Sequence, residues 1–218
     1  MPYSAYVFDF DFTLADATPG IVASVNYALG ELGYPAAGVE PIRRTVGMTL
    51  RDTFTTLTGC DDEDTAVRFT AFFRARADEV MTDNTTLLPG VAVALAGLKA
   101  DGAKTAIVTS KFHYRIDQAL ARHGCSHLVD FIVGLEDVAE AKPSPEGLLR
   151  AMDALGVGRG DTLYVGDSLI DARTAQNAGV DFAAVTTGTT GAEEFAGLPH
   201  VAVAGSMAAL FAGLEFPG

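Results

Sequence analysis

The sequence predicts a doubly wound α/β fold whose parallel sheet is interrupted, after its first strand, by an all-helical insertion. Two observations carry this. Short apolar runs alternate with helical patterns along most of the chain, and residues 16–83 break that rhythm with helical patterns alone. Strands are expected at 5–8, 104–108, 131–134, 162–165, 182–185 and 201–204. Most of these are continuous apolar runs, as parallel strands covered on both faces are. Helices are expected at 91–100 after Pro89-Gly90, at 114–122 before Gly124, from Pro145 to Leu155-Gly156, and at 169–178 before Gly179. Proline in the first turn and glycine just past the last are the usual start and stop signals. Within the insertion, Ile21, Val25, Leu29 and Leu32 share one helical face, and Phe69, Phe72, Phe73, Val80 and Met81 share another. The expected division is a core of 1–15 and 84–218 and a helical unit of 16–83, with hinges at 15–19 and 82–89.

Composition narrows the function classes. The 218 residues are 49% hydrophobic and 20% charged, as in globular proteins, with a net charge of −13. That field disfavours nucleic acid and anionic membranes as partners, and an anionic substrate needs a local cation. Cys60 and Cys125 follow no framework spacing, which fits a reducing cytosol, and the N-terminus has no signal-peptide pattern. The apolar stretch 201–214 falls short of the ~20 residues that cross a bilayer. It reads instead as a strand, Ser206 as a helix cap, and a short helix. The expected location is cytoplasmic, as a monomer or homodimer.

Ligands of an open parallel sheet bind at the carboxyl ends of its strands. Polar residues gather there. Asp9 and Asp11 follow the first strand at i and i+2, a spacing that points both the same way on an extended backbone. Two such carboxylates offer a nucleophile or metal ligand plus an acid/base. Thr109 and Ser110 follow 104–108, Gly166-Asp167-Ser168 follows 162–165 with Asp171 four residues past Asp167, and Lys142 lies in the loop before Pro143. Each has a local reading as well. Thr109 and Ser168 suit helix caps, Asp171 suits a helix N-terminus, and Lys142 suits a solvated loop. The run Asp61-Asp62-Glu63-Asp64 reads as a helix N-terminal cluster, and the histidines offer no third ligand for zinc.

Taken in order, DFDFT (9–13), VTS (108–110), KP (142–143) and GDSLID (166–171) resemble the signatures of the haloacid dehalogenase superfamily, and the segments around them look most like phosphoglycolate phosphatases. The resemblance covers essentially the whole chain, the insertion standing where that family carries a helical cap. It implies that Asp9 attacks phosphorus to form an aspartyl-phosphate, and that Asp11 protonates the leaving oxygen and then activates water. It implies Mg²⁺ held by Asp9, the Asp11 carbonyl and Asp167, with Asp171 in support. Thr109, Ser110 and Lys142 would bind the phosphoryl group, Lys142 also neutralising charge. Clustered carboxylates raise one another's pKa without a cation, so the aspartates themselves argue for the metal.

The implied substrate is a small phosphorylated metabolite such as 2-phosphoglycolate. Pyrophosphate hydrolysis and a β-phosphoglucomutase-like transfer are alternatives. Asp11 suits phosphoryl transfer, whereas the dehalogenase branch lacks it, and the six arginines and absent lysines of 16–83 disfavour imine-forming C–P cleavage. Residues 43–51 resemble a cap segment that reads substrate, with Arg43, Arg44, Gly47 and Arg51 as candidate substrate-binding residues; the three arginines suit a second anionic group or, equally, a solvated helix face. Phe12 departs from the pattern, since the family has glycine there. The favoured expectation is that residue 12 needs no positive φ and that Phe12 contributes to a cap interface. A catalytically weak metabolite-binding module is the reading that an altered loop would favour.

Overall fold

The computed structural model describes residues 3–213. Strand β1 (Ala5–Phe8) leads through a tight turn to β2 (Ala15–Asp16) and then to helices α1 (Thr18–Glu31), α2 (Val39–Arg43), α3 (Leu50–Thr58) and α4 (Glu63–Val80). The chain returns through β3 (Thr86–Leu87) and alternates α5 (Val91–Ala100), β4 (Lys104–Val108), α6 (His113–Arg122), β5 (Phe131–Val133), α7 (Glu146–Leu155), β6 (Thr162–Gly166), α8 (Leu169–Ala178), β7 (Asp181–Val185), β8 (Ala202–Ala204) and α9 (Met207–Gly213). It divides into two compact units, Met1–Ala15 with Leu87–Gly218, and Asp16–Thr86.

The first unit is built on a six-stranded sheet in the order β5-β4-β1-β6-β7-β8, its neighbouring strands parallel. Alternation along each strand feeds two cores. Tyr6, Phe8, Ile107, Leu163, Val165, Ala183 and Val185 face helices α5, α6 and α9. Ala5, Val7, Ala106, Val108, Tyr164, Phe182 and Ala184 face α7 and α8. This is why the strands read as continuous apolar runs: neither face meets water. Helices α7 and α8 end at Gly156 and Gly179, both left-handed.

Register decides where the site forms. Phe8 lies level with Ile107 on one side and Val165 on the other. The Asp9 N–H then donates to the Val165 carbonyl at 2.9 Å, and the Thr109 N–H to Val133 at 3.0 Å. The residues that follow β1, β4 and β6 therefore emerge together. Winding proceeds from β1 outward to β5 and restarts at β6 on the other side of β1, so a topological switch point falls between β1 and β6.

The second unit, Asp16–Thr86, is helical around Val25, Ala28, Leu29, Ile42, Phe54, Ala66 and Phe69. The Phe54 and Phe69 rings pack 5.2 Å apart, and Tyr34 meets Phe54 edge-on at 5.4 Å. Of the acidic run, Asp62 is the cap of α4, accepting from the Thr65 N–H. The passages into and out of this unit contain an unexpected feature, the pairing of β2 with β3.

Asp130 ties the edge strand β5 to its neighbours. Its carboxylate accepts from the Thr105 N–H at 2.9 Å and from Lys99 Nζ at 2.6 Å. Burial pushes the Asp130 carboxyl up, but Lys99 and the Thr105 amide outweigh it and hold it below the usual value. A folded-state pKa below the unfolded one gives stability that is full above the unfolded value, near 3.9, and is lost as pH falls through the folded value. Asp130→Ala should lower unfolding free energy by about 1–3 kcal/mol at pH 7. In urea titrations the gap from wild type should narrow toward pH 3, and a constant gap would contradict this account.

Candidate active site

Asp9 ends β1 and is buried, at 7% exposure. The turn beyond it is tight: Leu14 N–H and Ala15 N–H both donate to the Phe10 carbonyl, at 2.9 and 3.0 Å, and Phe12 N–H donates to Ala15 at 2.7 Å. This turn overturns the expectation for residue 12. Phe12 does adopt a positive φ, 62°, the left-handed conformation that glycine takes without cost. A phenylalanine tolerates it here because hydrogen bonds hold its backbone on both sides: besides the bond of its N–H to Ala15 within the loop, the Phe12 carbonyl accepts from Thr187 Oγ1.

Asp9 and Asp11 leave this loop with different partners. Lys142 Nζ donates to Asp9 Oδ1 and to Asp171 Oδ1, at 2.7 Å each, and lies 3.3 Å from the Tyr164 hydroxyl. Asp11 instead receives Lys111 Nζ at 2.9 and 2.7 Å, one contact to each carboxylate oxygen. Lys111 is largely buried, and nothing in its spacing announces it; its place two residues past Thr109, at the carboxyl end of β4, is the one sequence signal that it shares with the others. The predicted residue Thr109 is buried there, its Oγ1 accepting from the Lys111 N–H at 3.2 Å, and Ser110 lies between them.

Asp171 is both cap and site residue. Its Oδ2 accepts from Ser168 N and Oγ, while Ser168 Oγ accepts from the Asp171 N–H, a reciprocal capping box at the start of α8. Its Oδ1 accepts from Lys142 and, at 3.0 Å, from Tyr164. Tyr164, read from sequence only as an apolar strand residue, is fully buried and uses its hydroxyl to join β6 to this network. A methyl group at Gly166 would lie 2.4 Å from Asp171 Cβ, so this position tolerates no side chain. Asp167 accepts from Thr13 Oγ1 at 3.4 Å.

Oxygens of Asp9, Asp167 and Asp171 lie within 4.8 Å of one another, and all three residues are buried. Among the described residues this is the group with metal-ligand geometry. Burial pushes the Asp9 carboxyl up, Lys142 opposes it and Asp171 adds to it, with a result of about 7. Asp167 is raised well above the ordinary value, first by burial and then by Asp171 and Asp9. Lys142 loses some basicity to burial, but Asp171 and Asp9 outweigh that and hold it charged. One ammonium among three crowded carboxylates leaves negative charge that a divalent cation would offset. An all-oxygen, buried donor set fits Mg²⁺. The Asp11 carboxylate stands outside this cluster.

The basic residues of the helical unit are partly committed within it. Arg51 Nε lies 2.7 Å from Glu63, and Arg43 Nε 3.9 Å from Glu40. Arg44 caps the C-terminus of α2, and Gly47 turns at φ 92°. No helix among the described residues is long and apolar enough to cross a membrane.

The chain resembles proteins of known kind along most of its length. It is 35% identical to a phosphoglycolate phosphatase of Rhodobacter capsulatus, with 84% of each chain covered. It is 32% identical to phosphoglycolate phosphatase 1 of Pseudomonas aeruginosa, covering 84% of this chain and 69% of the other. Its fold superposes on a haloacid dehalogenase-like hydrolase structure from Bacteroides fragilis with a TM-score of 0.92 and 40% identity, over 95% and 99% of the two chains. The profile of the haloacid dehalogenase-like hydrolases matches residues 6–185. That match begins in β1 and ends with β7, so it takes in every segment that delivers the buried aspartates and Lys142, and the chain belongs to the haloacid dehalogenase-like hydrolases.

Proposed function

We propose that the protein is a Mg²⁺-dependent phosphatase that hydrolyses a small, anion-bearing phosphomonoester of the phosphoglycolate kind through an aspartyl-phosphate. One observation carries this reading. Two aspartates two residues apart have been given separate ammonium partners, Asp9 paired with Lys142 and Asp11 with Lys111. Carboxylates in unlike environments take unlike chemical roles.

In this reading Asp9 attacks phosphorus. The bond from Asp9 oxygen to phosphorus forms as the bond to the leaving oxygen breaks, and Asp11 supplies the proton that the leaving alkoxide needs. Asp11, now ionised, takes a proton from water; the water oxygen bonds to phosphorus, phosphate leaves and Asp9 is restored. Thr109 and Ser110 orient phosphoryl oxygens, and Lys142 offsets their charge and favours the ionised form of Asp9 against its burial. Asp9, the Asp11 carbonyl and Asp167 would hold Mg²⁺, with Asp171 behind them, and the metal would supply stabilisation of charge on the transferring group. Such support is necessary: the slowest phosphate monoesters need acceleration of up to ~10²¹, and positioning accounts for only about 7–11 kcal/mol of it.

Lys111 bears on the substrate. It stands beside the proposed proton donor, hence on the leaving-group side, and its three donors exceed what one carboxylate pairs with. A positive charge there favours a leaving group that carries its own anion, such as glycolate. The relatives named phosphoglycolate phosphatase favour the same choice. Pyrophosphate shares this feature and is tested alongside. The helical unit is the cap of this reading, with Arg43, Arg44, Gly47 and Arg51 as its substrate-recognition segment, and both cysteines stay reduced in the cytosol.

Phosphate release over phosphoglycolate, pyrophosphate, hexose phosphates and nucleotides tests the reaction. Mg²⁺ chelation should abolish release, and Asp9→Asn should lower it by about 10³-fold or more. An Asp9→Asn protein with full activity would sink the mechanism. A second measurement needs no turnover: Mg²⁺ should raise Tm of the wild type but not of Asp167→Asn. Lys111→Met should lower kcat/KM about tenfold more for phosphoglycolate than for glycerol phosphate, whose leaving group is neutral. Equal losses on both would confine Lys111 to holding Asp11.

A further inference from the structure

Phe12 is the non-glycine residue that the described chain holds at positive φ. Such a conformation persists in a bulky residue only where its surroundings fix it. Two hydrogen bonds do so from opposite sides of the residue. The Phe12 N–H donates to Ala15 within the loop, and the Phe12 carbonyl accepts from Thr187 Oγ1, 175 positions later in the chain. The next residue, Gly188, lies directly against Asp167, for a methyl group there would stand 1.8 Å from Asp167 Oδ2. The loop that leaves β7 thus meets both Phe12, the residue after Asp11, and Asp167, in a stretch where the sequence shows no chemistry.

We propose that Thr187 is a positioning residue for phosphoryl transfer: its hydroxyl fixes the left-handed turn at Phe12 and so sets where Asp11 stands relative to Asp9. Gly188 stays bare so that the same loop can lie against Asp167. Thr187 touches no reacting group. Serine at 187 keeps the donor and valine removes it at nearly constant volume. Glycine at 12 adopts a positive φ unaided and has no need of the brace.

The inference rests on the phosphatase reading only for its kinetic assay. The test is a cycle of Thr187→Val, Phe12→Gly and the double variant, with Thr187→Ser as the conservative control. Thr187→Val should lower kcat on phosphoglycolate about tenfold while KM changes less than about twofold, because substrate-binding groups are untouched. Thr187→Ser should stay within about twofold of wild type. In the Phe12→Gly background the effect of Thr187→Val should shrink to about twofold or less. Equal losses in the two backgrounds, or serine no better than valine, would overturn the proposal. Should Phe12→Gly fail to fold for want of its buried ring, Phe12→Asn, which enters the left-handed region readily, takes its place. A wild type inactive on every substrate would defeat the phosphatase reading instead. The same cycle is then read in the unfolding equilibrium constant, where about tenfold coupling upholds the brace and additivity overturns it.

Discussion

Lys142 is the residue on which the rest of the site depends. Its ammonium is buried between Asp9 and Asp171, touching each at 2.7 Å. Taking these charges out of water is expensive, and only close pairing offsets the cost; removing one partner of such a group typically costs about 3–5 kcal/mol because the other is stranded. The neighbours distribute the remaining lone pairs. Asp171 gives one oxygen to Lys142 and Tyr164 and the other to Ser168, so the start of α8, the end of β6 and the Lys142 loop converge on one carboxylate. Asp167, which follows β6, accepts from the Thr13 hydroxyl and lies within 4.8 Å of the other two carboxylates, so it carries charge that Lys142 does not directly offset.

This arrangement merges two descriptions of the same residues. Asp171 is a helix-capping residue and a member of the acidic cluster. Ser168 is a cap that also supplies hydrogen bonds to that cluster. Local and chemical roles coincide because the helix N-terminus begins where the strand's carboxyl end stops, and in a parallel α/β sheet both lie on the same edge. A capping box that stabilises α8 therefore fixes a carboxylate that the site needs.

Much of this was legible in the chain. The strand runs, the interrupting helices, and the four clusters after β1, β4, β6 and in the Lys142 loop follow from apolar periodicity and from the tendency of polar residues to mark strand ends. What escaped did so for physical reasons. Lys111 pairs with Asp11 across a hundred positions, and such a pairing leaves no local pattern. Tyr164 reads as apolar because its ring is, while its single polar atom decides its role. Phe12 argued against a positive φ by its own sterics, and one bond within the loop and one from Thr187 overrode that preference. Thr187 and Gly188 are small residues in a loop, distinguishable only by what they abut. The short β2–β3 pairing was invisible because two residues carry no periodicity.

That pairing gives the helical unit a topological independence. The chain departs at Ala15–Asp16 and comes back at Thr86–Leu87, beside its own point of exit, and Leu88 N–H closes on the Leu14 carbonyl. Seen from the parallel sheet, everything between is a loop whose two ends already touch, and its length adds only logarithmically to the entropy of closure. Insertions of other sizes and shapes are compatible with the same stem. The segment between the stem strands can thus change in length and shape over evolutionary time, without any strand of the six-stranded sheet having to change its neighbours.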